Sequence, residues 1–113
     1  MTDALDQQIH ETIARGKQYT LVLLWAEAGS VAEGTDLESL QQDHLRHLFT
    51  LRNSGALLLN GPVADDSDLA GVCIFADADI EAVRALAEAD PAVIAGRLRA
   101  DVRPWFGMPG DTI

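Results

Sequence analysis

Between Thr35 and Pro62 the chain reads TDLESLQQDHLRHLFTLRNSGALLLNGP, and no other stretch limits the possible folds as much. Leu37, Leu40, Leu48 and Leu51 stand at i−7, i−4, i+4 and i+7 from His44. That spacing is one face of an α-helix. Thr35-Asp36-Leu37-Glu38 has the form of a capping box and predicts the start. Asn53-Ser54-Gly55 predicts the end. A helix with one apolar stripe must lay it on another element. His44 interrupts that stripe where packing alone asks for another apolar side chain. A titratable group there is either a satisfied core residue or a working one.

The flanking segments supply the surface for that helix. Residues 18–27, QYTLVLLWAE, alternate as a strand with both faces apolar: Tyr19, Leu21, Leu23 and Trp25 on one, Val22, Leu24 and Ala26 on the other. A strand apolar on both faces is covered on both faces. After the helix, residues 56–60 (ALLLN) predict a second strand ended by Gly61-Pro62. The acidic turn ADDSD (64–68) leads to a third strand, 69–76, paired antiparallel with the second. Residues 79–89 predict a helix with Ile80, Val83, Leu86 and Ala87 inward. Asp90-Pro91 interrupts it and starts one short helical turn, stopped by Gly96. Residues 97–106 predict the last strand, with Pro104 marking an edge or the end of pairing.

The order strand, helix, strand, strand, helix, strand is the split pattern of the ferredoxin-like α+β sandwich. Two helices cover one face of a four-stranded antiparallel sheet. The other face is apolar and open, and such a patch marks an interface. A homodimer with the open sheet faces packed together is therefore expected. Residues 1–17 are expected to be an arm or short helix, with Leu5, Ile9 and Ile13 on one stripe, lying on the domain or on a partner subunit. Residues 18–106 form the domain and 107–113 an irregular tail.

At 113 residues a single core is feasible. The net charge of −10, with no run of Lys or Arg, argues against nucleic acid and anionic lipid as partners. The N-terminus lacks the basic and apolar segments of a secretion signal, and no apolar run approaches a membrane span, so a cytoplasmic protein is expected. One cysteine, Cys73, lies in the apolar run LAGVCIFA and reads as a buried hydrophobe.

His44 is the first candidate for chemistry, because imidazole changes charge near neutral pH and its neutral form is a base. Asp90 is the second. An Asp before Pro is an ordinary helix cap, but a histidine oriented by an aspartate is a common general base. His44 and His47 lie three apart, a weak metal pattern without further ligands, and no metal or cofactor is expected. Arg97, Arg99 and Arg103 alternate on the last strand and fit either a solvated edge or a carboxylate site. Trp105 and Phe106 fit a pocket seal or, better, a dimer contact. Arg99, Arg103 and Trp105 are the candidates for substrate contact. No phosphate loop, dinucleotide fingerprint or nucleophile elbow is present.

His44-Leu45 through Gly55, the run Leu57–Leu59 and Gly61-Pro62 resemble the signature of the YciI-like (YCII-related) family. The helix within residues 76–87, Asp90-Pro91, Gly96 and the strand leading to Trp105-Phe106 resemble its second half. The resemblance implies a dimeric α+β barrel with a histidine–aspartate pair, here His44 and Asp90. It implies, from the best-understood kind of activity in the family, elimination of HCl from a chlorinated aromatic-derived ring compound with the histidine as base. The fold also resembles muconolactone isomerases. Asn60-Gly61-Pro62-Val63 departs from the Asp-Gly-Pro-Phe of one subgroup. The arm and the loop 28–35 look like additions to the minimal domain.

Two functions follow. One is a small enzyme that abstracts a proton from a small cyclic or carbonyl compound, as an isomerase or a dehydrohalogenase-type lyase. The other is a non-catalytic dimeric module that binds a small ligand.

Overall fold

The computed structural model describes residues 3–27 and 29–112. Met1 and Thr2 of the expected arm, Ala28 of the expected loop and Ile113 of the expected tail lie outside them. The order of elements is α1 (Ala4–Ala14), β1 (Lys17–Ala26), α2 (Leu37–Asn53), β2 (Leu57–Pro62), β3 (Leu69–Phe75), α3 (Ile80–Glu88), α4 (Pro91–Ile94) and β4 (Leu98–Gly107). After α1, this is the ferredoxin-like sandwich expected. The sheet runs β2-β3-β1-β4 with every neighbour antiparallel.

β1 occupies the sheet interior because it is the strand apolar on both faces. Val22 pairs with Cys73 on one side and Val102 on the other. Thr20, Val22 and Leu24 point under the helices and are buried with Cys73, Phe75 and Leu57. The buried Thr20 hydroxyl donates to the Asp77 carbonyl at 2.7 Å, so its polarity is satisfied. Val83 and Ala87 of α3 and Leu48 and Leu51 of α2 close this core from above. Tyr19, Leu21, Leu23 and Trp25 alternate onto the opposite, helix-free face, where each stays only partly buried.

Three details differ from the sequence expectation, at the start of α2, at Gly61-Pro62 and in the α2 stripe. Asp36 caps α2, its carboxylate accepting from the amides of Glu38 and Ser39 at 3.1 Å each. Thr35 instead turns back to donate to the Ala32 carbonyl. A carboxylate at the positive end of a 17-residue helix outcompetes a neutral hydroxyl one residue earlier. Gly61-Pro62 does not stop β2 before it but forms its last two paired residues, Pro62 opposite Gly71. An edge strand tolerates proline because its outer N–H needs no partner. β4 is the other edge, and its pairing continues past Pro104 to Gly107, opposite Lys17. The stripe of α2 is core only from His44 onward: Leu40 is half-buried and Leu37 is 47% exposed. The first turns of α2 overhang the end of the sheet instead of lying on it.

α1 begins on an Asp3 cap and presents Leu5, Ile9 and Ile13 to solvent, 63%, 47% and 53% exposed. Of the two resting places expected for this stripe, the domain itself is not the one used. The Phe106 ring packs across Gly16, where any Cβ would meet it at 1.7 Å, and this contact sets the exit of the arm. Among the described residues, no helix is long and apolar enough to cross a membrane.

If Asp36 is the cap, Asp36→Ala should cost about 1 kcal/mol of unfolding free energy. Thr35→Ala should cost no more than about 0.5 kcal/mol. Urea unfolding of the two variants distinguishes them, and the reverse ranking would return the cap to Thr35.

Candidate functional site

α2 delivers His44 to the underside of the helical layer, and the turn between α3 and α4 delivers Asp90 to meet it. His44 is 9% exposed and Asp90 2%. The ring Nδ1 and the carboxylate Oδ2 are 2.6 Å apart. The other carboxylate oxygen, Oδ1, accepts from the Ala92 amide at 2.9 Å and so caps α4. Asp90 thus caps α4 with one oxygen and meets His44 with the other.

This division sets the imidazole tautomer. A carboxylate only accepts, so Nδ1 carries the hydrogen and donates to Oδ2. In the neutral ring Nε2 is then the bare nitrogen. It has no hydrogen-bond partner among the described residues. The His44 ring lines a cavity of about 210 Å³. Leu24, Leu45, Leu48 and Cys73 supply apolar wall, and Gln41 and Asn60 supply the polar groups. Gly61 and Gly71, on neighbouring strands, line this cavity's sheet side without side chains to fill it. Room is scarce there: a Cβ on Gly71 would come within 3.3 Å of the Gly61 carbonyl.

Asn60 is oriented from outside. Arg52 donates to its Oδ1 at 2.7 Å, which leaves the amide nitrogen as the free end. Gln41 stands at i−3 from His44, on the same face of α2. Neither stood out in the sequence. The helical period around His44 would have found Gln41. Asn60 is marked only by its place before Gly61-Pro62.

The remaining candidates fall elsewhere. His47 Nε2–H donates to the Leu86 carbonyl at 2.8 Å and ties α2 to α3. Among the described residues, no cluster of three or more His, Cys, Asp or Glu is placed to hold a metal ion. Arg99, Arg103 and Trp105 are not brought to His44; they alternate with Leu98, Ala100 and Val102, which pack on the core. Arg99 pairs with Glu27 at 2.8 Å and lies 5.9 Å from the Trp25 ring. Arg103 grips Asp101 with two hydrogen bonds, at 3.0 and 3.1 Å. That guanidinium holds the Asp101 carboxyl below the usual range. The Trp25 indole N–H lies near enough to add to this effect, yet it is outside hydrogen-bond geometry and has no partner.

Arg97 departs from the pattern. It precedes β4 and leaves the alternation, lining a second cavity of about 390 Å³ with Leu37, Leu40 and Glu27. The two cavities adjoin, sharing Gln41, Ala70 and Leu98 as walls. A roomier hollow of about 590 Å³ lies over Tyr19, Leu59, Ile74, Trp105 and Met108, away from the His44–Asp90 pair. It is a surface of contact chemistry, without the pair's acid–base groups.

The YCII-related domain model matches residues 12–106 of the chain. No curated protein sequence matches it. Among solved structures, it is similar to 5-chloro-2-hydroxyhydroquinone dehydrochlorinase from Burkholderia phenoliruptrix, solved as a complex with 2,5-dihydroxybenzoquinone. The TM-score is 0.54 at 22% identity, covering 77% of this chain and 92% of that one. That likeness is one of fold.

Cys73 borders both His44 and Asp90 but is not a nucleophile. Burial pushes its thiol from 9.0 up to about 12, and the Asp90 charge adds to the shift. The fold therefore favours the protonated thiol. Its contribution is complete below about pH 9 and is lost as the pH rises towards 12. Iodoacetamide at pH 8 should leave native Cys73 unmodified and alkylate it fully in denaturant, as read by mass spectrometry. Rapid labelling of the folded protein would show a thiolate the structure does not provide.

Proposed function

The chain belongs to the YCII-related domain family, and from that premise we propose that it is a small-molecule enzyme in which His44 abstracts a proton from a carbon acid. One observation carries the proposal: the ring lines a cavity with Nε2 bare while Nδ1–H is held by a buried carboxylate. A neutral imidazole in that tautomer is ready to accept a proton, and Asp90 is placed to stabilise the imidazolium that forms.

The step balances without another reactant. The C–H electron pair moves into an adjacent carbonyl as the proton goes to Nε2, and an enolate forms. The free amide end of Asn60, and Gln41 beside it, are the donors available to that oxygen. The enolate then takes the proton back at another carbon, which is isomerisation. Alternatively it expels a leaving group such as halide, which is elimination. The dehydrochlorinase of like fold, solved with a small quinone, supports a small cyclic carbonyl compound as the substrate class.

The protein acts, in this reading, as a cytoplasmic homodimer joined through the open sheet face. Support comes from the half-buried Leu21, Leu23, Val72 and Ile74 on that face and from Trp105, still 43% exposed. The stripe of α1 is a further apolar surface left for the partner.

Asp90→Asn is the decisive variant. With Oδ1 kept on the Ala92 amide, the new NH₂ faces Nδ1 and donates to it. The ring hydrogen then moves to Nε2 and the base is lost. Turnover, measured by release of halide or by exchange of substrate C–H for deuterium, should fall at least about 100-fold. The cap is retained, so circular dichroism should be unchanged. Full activity in Asp90→Asn would refute the mechanism.

Light scattering should give twice 12.2 kDa for the wild type. Leu23→Glu, which buries a charge in the proposed interface, should give the single-chain mass. A wild-type protein already at the single-chain mass would remove the dimer from this account.

A further inference from the structure

We propose that Arg97 is an anion anchor, and that the substrate taken by the His44 site is a small carboxylate. The inference deepens the proton-abstraction reading by naming the substrate's charge, and rests on it for the role of His44.

The observation is a difference among three arginines that the sequence presents as equivalent. Arg99 is paired with Glu27, and Arg103 is chelated by Asp101. Arg84, on α3, pairs with Glu81. Arg97 opens onto the second cavity. The acidic group that shares its cavity, Glu27, is already held by Arg99 at 2.8 Å. Arg97 therefore faces its cavity without an ion pair among the described residues.

Its position is built, though its side chain is exposed. The Arg97 amide donates to the Ala92 carbonyl at 2.9 Å, and its own carbonyl accepts from the Glu27 amide at 3.0 Å. Gly96 makes the preceding turn at φ 81, where a Cβ would come within 3.1 Å of the Ser30 carbonyl oxygen. The eight-residue segment 90–97 thus carries both Asp90, which meets His44, and Arg97, which lines the adjoining cavity. Leu40, Ala70, Ala92 and Leu98 line that cavity as apolar wall. That sequence of surfaces matches a small molecule with a carboxylate at one end, an apolar body, and an acidic C–H at the other. The planar guanidinium suits a carboxylate, to which it can donate two hydrogen bonds.

Benzoate and benzamide are matched probes, alike in shape and unlike in charge. Binding is followed by ¹⁵N NMR of the arginine side chains and by the His44 ring signals. Benzoate should bind saturably and shift the Arg97 Nε signal. Arg97→Gln should weaken benzoate about tenfold or more and leave benzamide within about twofold. Arg97→Lys should restore part of the loss. His44→Gln should keep benzoate binding within about threefold, because the anchor is separate from the base. Absence of saturable benzoate binding overturns the proposal. So does equal weakening of both probes by Arg97→Gln. Loss of benzoate in His44→Gln as complete as in Arg97→Gln would place the anion on a protonated histidine and overturn it too. An active Asp90→Asn enzyme would refute proton abstraction but would leave these binding results standing, so the two failures are distinguishable.

Discussion

A buried carboxylate with two obligations holds this structure together at its functional end. Asp90 closes the amide start of α4 with one oxygen and the His44 ring with the other. Both partners of the His44–Asp90 contact are removed from water, so neither is dispensable alone: taking one away strands the other's polar group, at a cost on the order of 3–5 kcal/mol. The contact joins α2 to the α3–α4 turn, elements 46 residues apart in sequence. The same geometry that satisfies Nδ1 leaves Nε2 without a partner among the described residues. A histidine in a leucine stripe is tolerated because its inward nitrogen is satisfied, and the outward one is left free.

The two adjoining cavities depend on packing that stops short. α2 follows the sheet from His44 to Leu51 and overhangs its end at Leu37 and Leu40. If those turns also lay on the strands, the space that Arg97 and Gln41 line would be filled by leucine. Glycine does the same work on the sheet side, at Gly61 and Gly71. Charges then sort by what they face. Arg99 and Arg103 are neutralised by Glu27 and Asp101, while Arg97, one residue outside β4, is left to the second cavity.

Much of the fold was legible because its signals are local. The period around His44 and the double-sided apolar run of β1 are properties of a few consecutive residues. So is the cap signal at Asp90. The errors came where one local signal competed with another or with position in the sheet. Thr35 and Asp36 are both capping residues, and charge on the helix dipole decided between them. Gly61-Pro62 has the form of a strand terminator, but an edge strand accepts it. The three arginines of residues 97–103 share a sequence parity, and parity has meaning only once the strand has begun. Arg97 lies before that point, so its direction could not be taken from its neighbours.

Sequence alone determined the order of the elements, the apolar character of both faces of β1, and the presence of two titratable residues where apolar or purely structural ones would serve. These follow from side-chain size, polarity and backbone preference, which act over a few residues. Tertiary structure decided which oxygen of Asp90 meets His44, which nitrogen that leaves bare, and which arginine faces the second cavity. Those outcomes depend on directions and distances between segments far apart in the chain. A helix cap and a histidine partner are the same residue in the sequence; they became separable only when Oδ1 and Oδ2 of Asp90 were seen to have different partners.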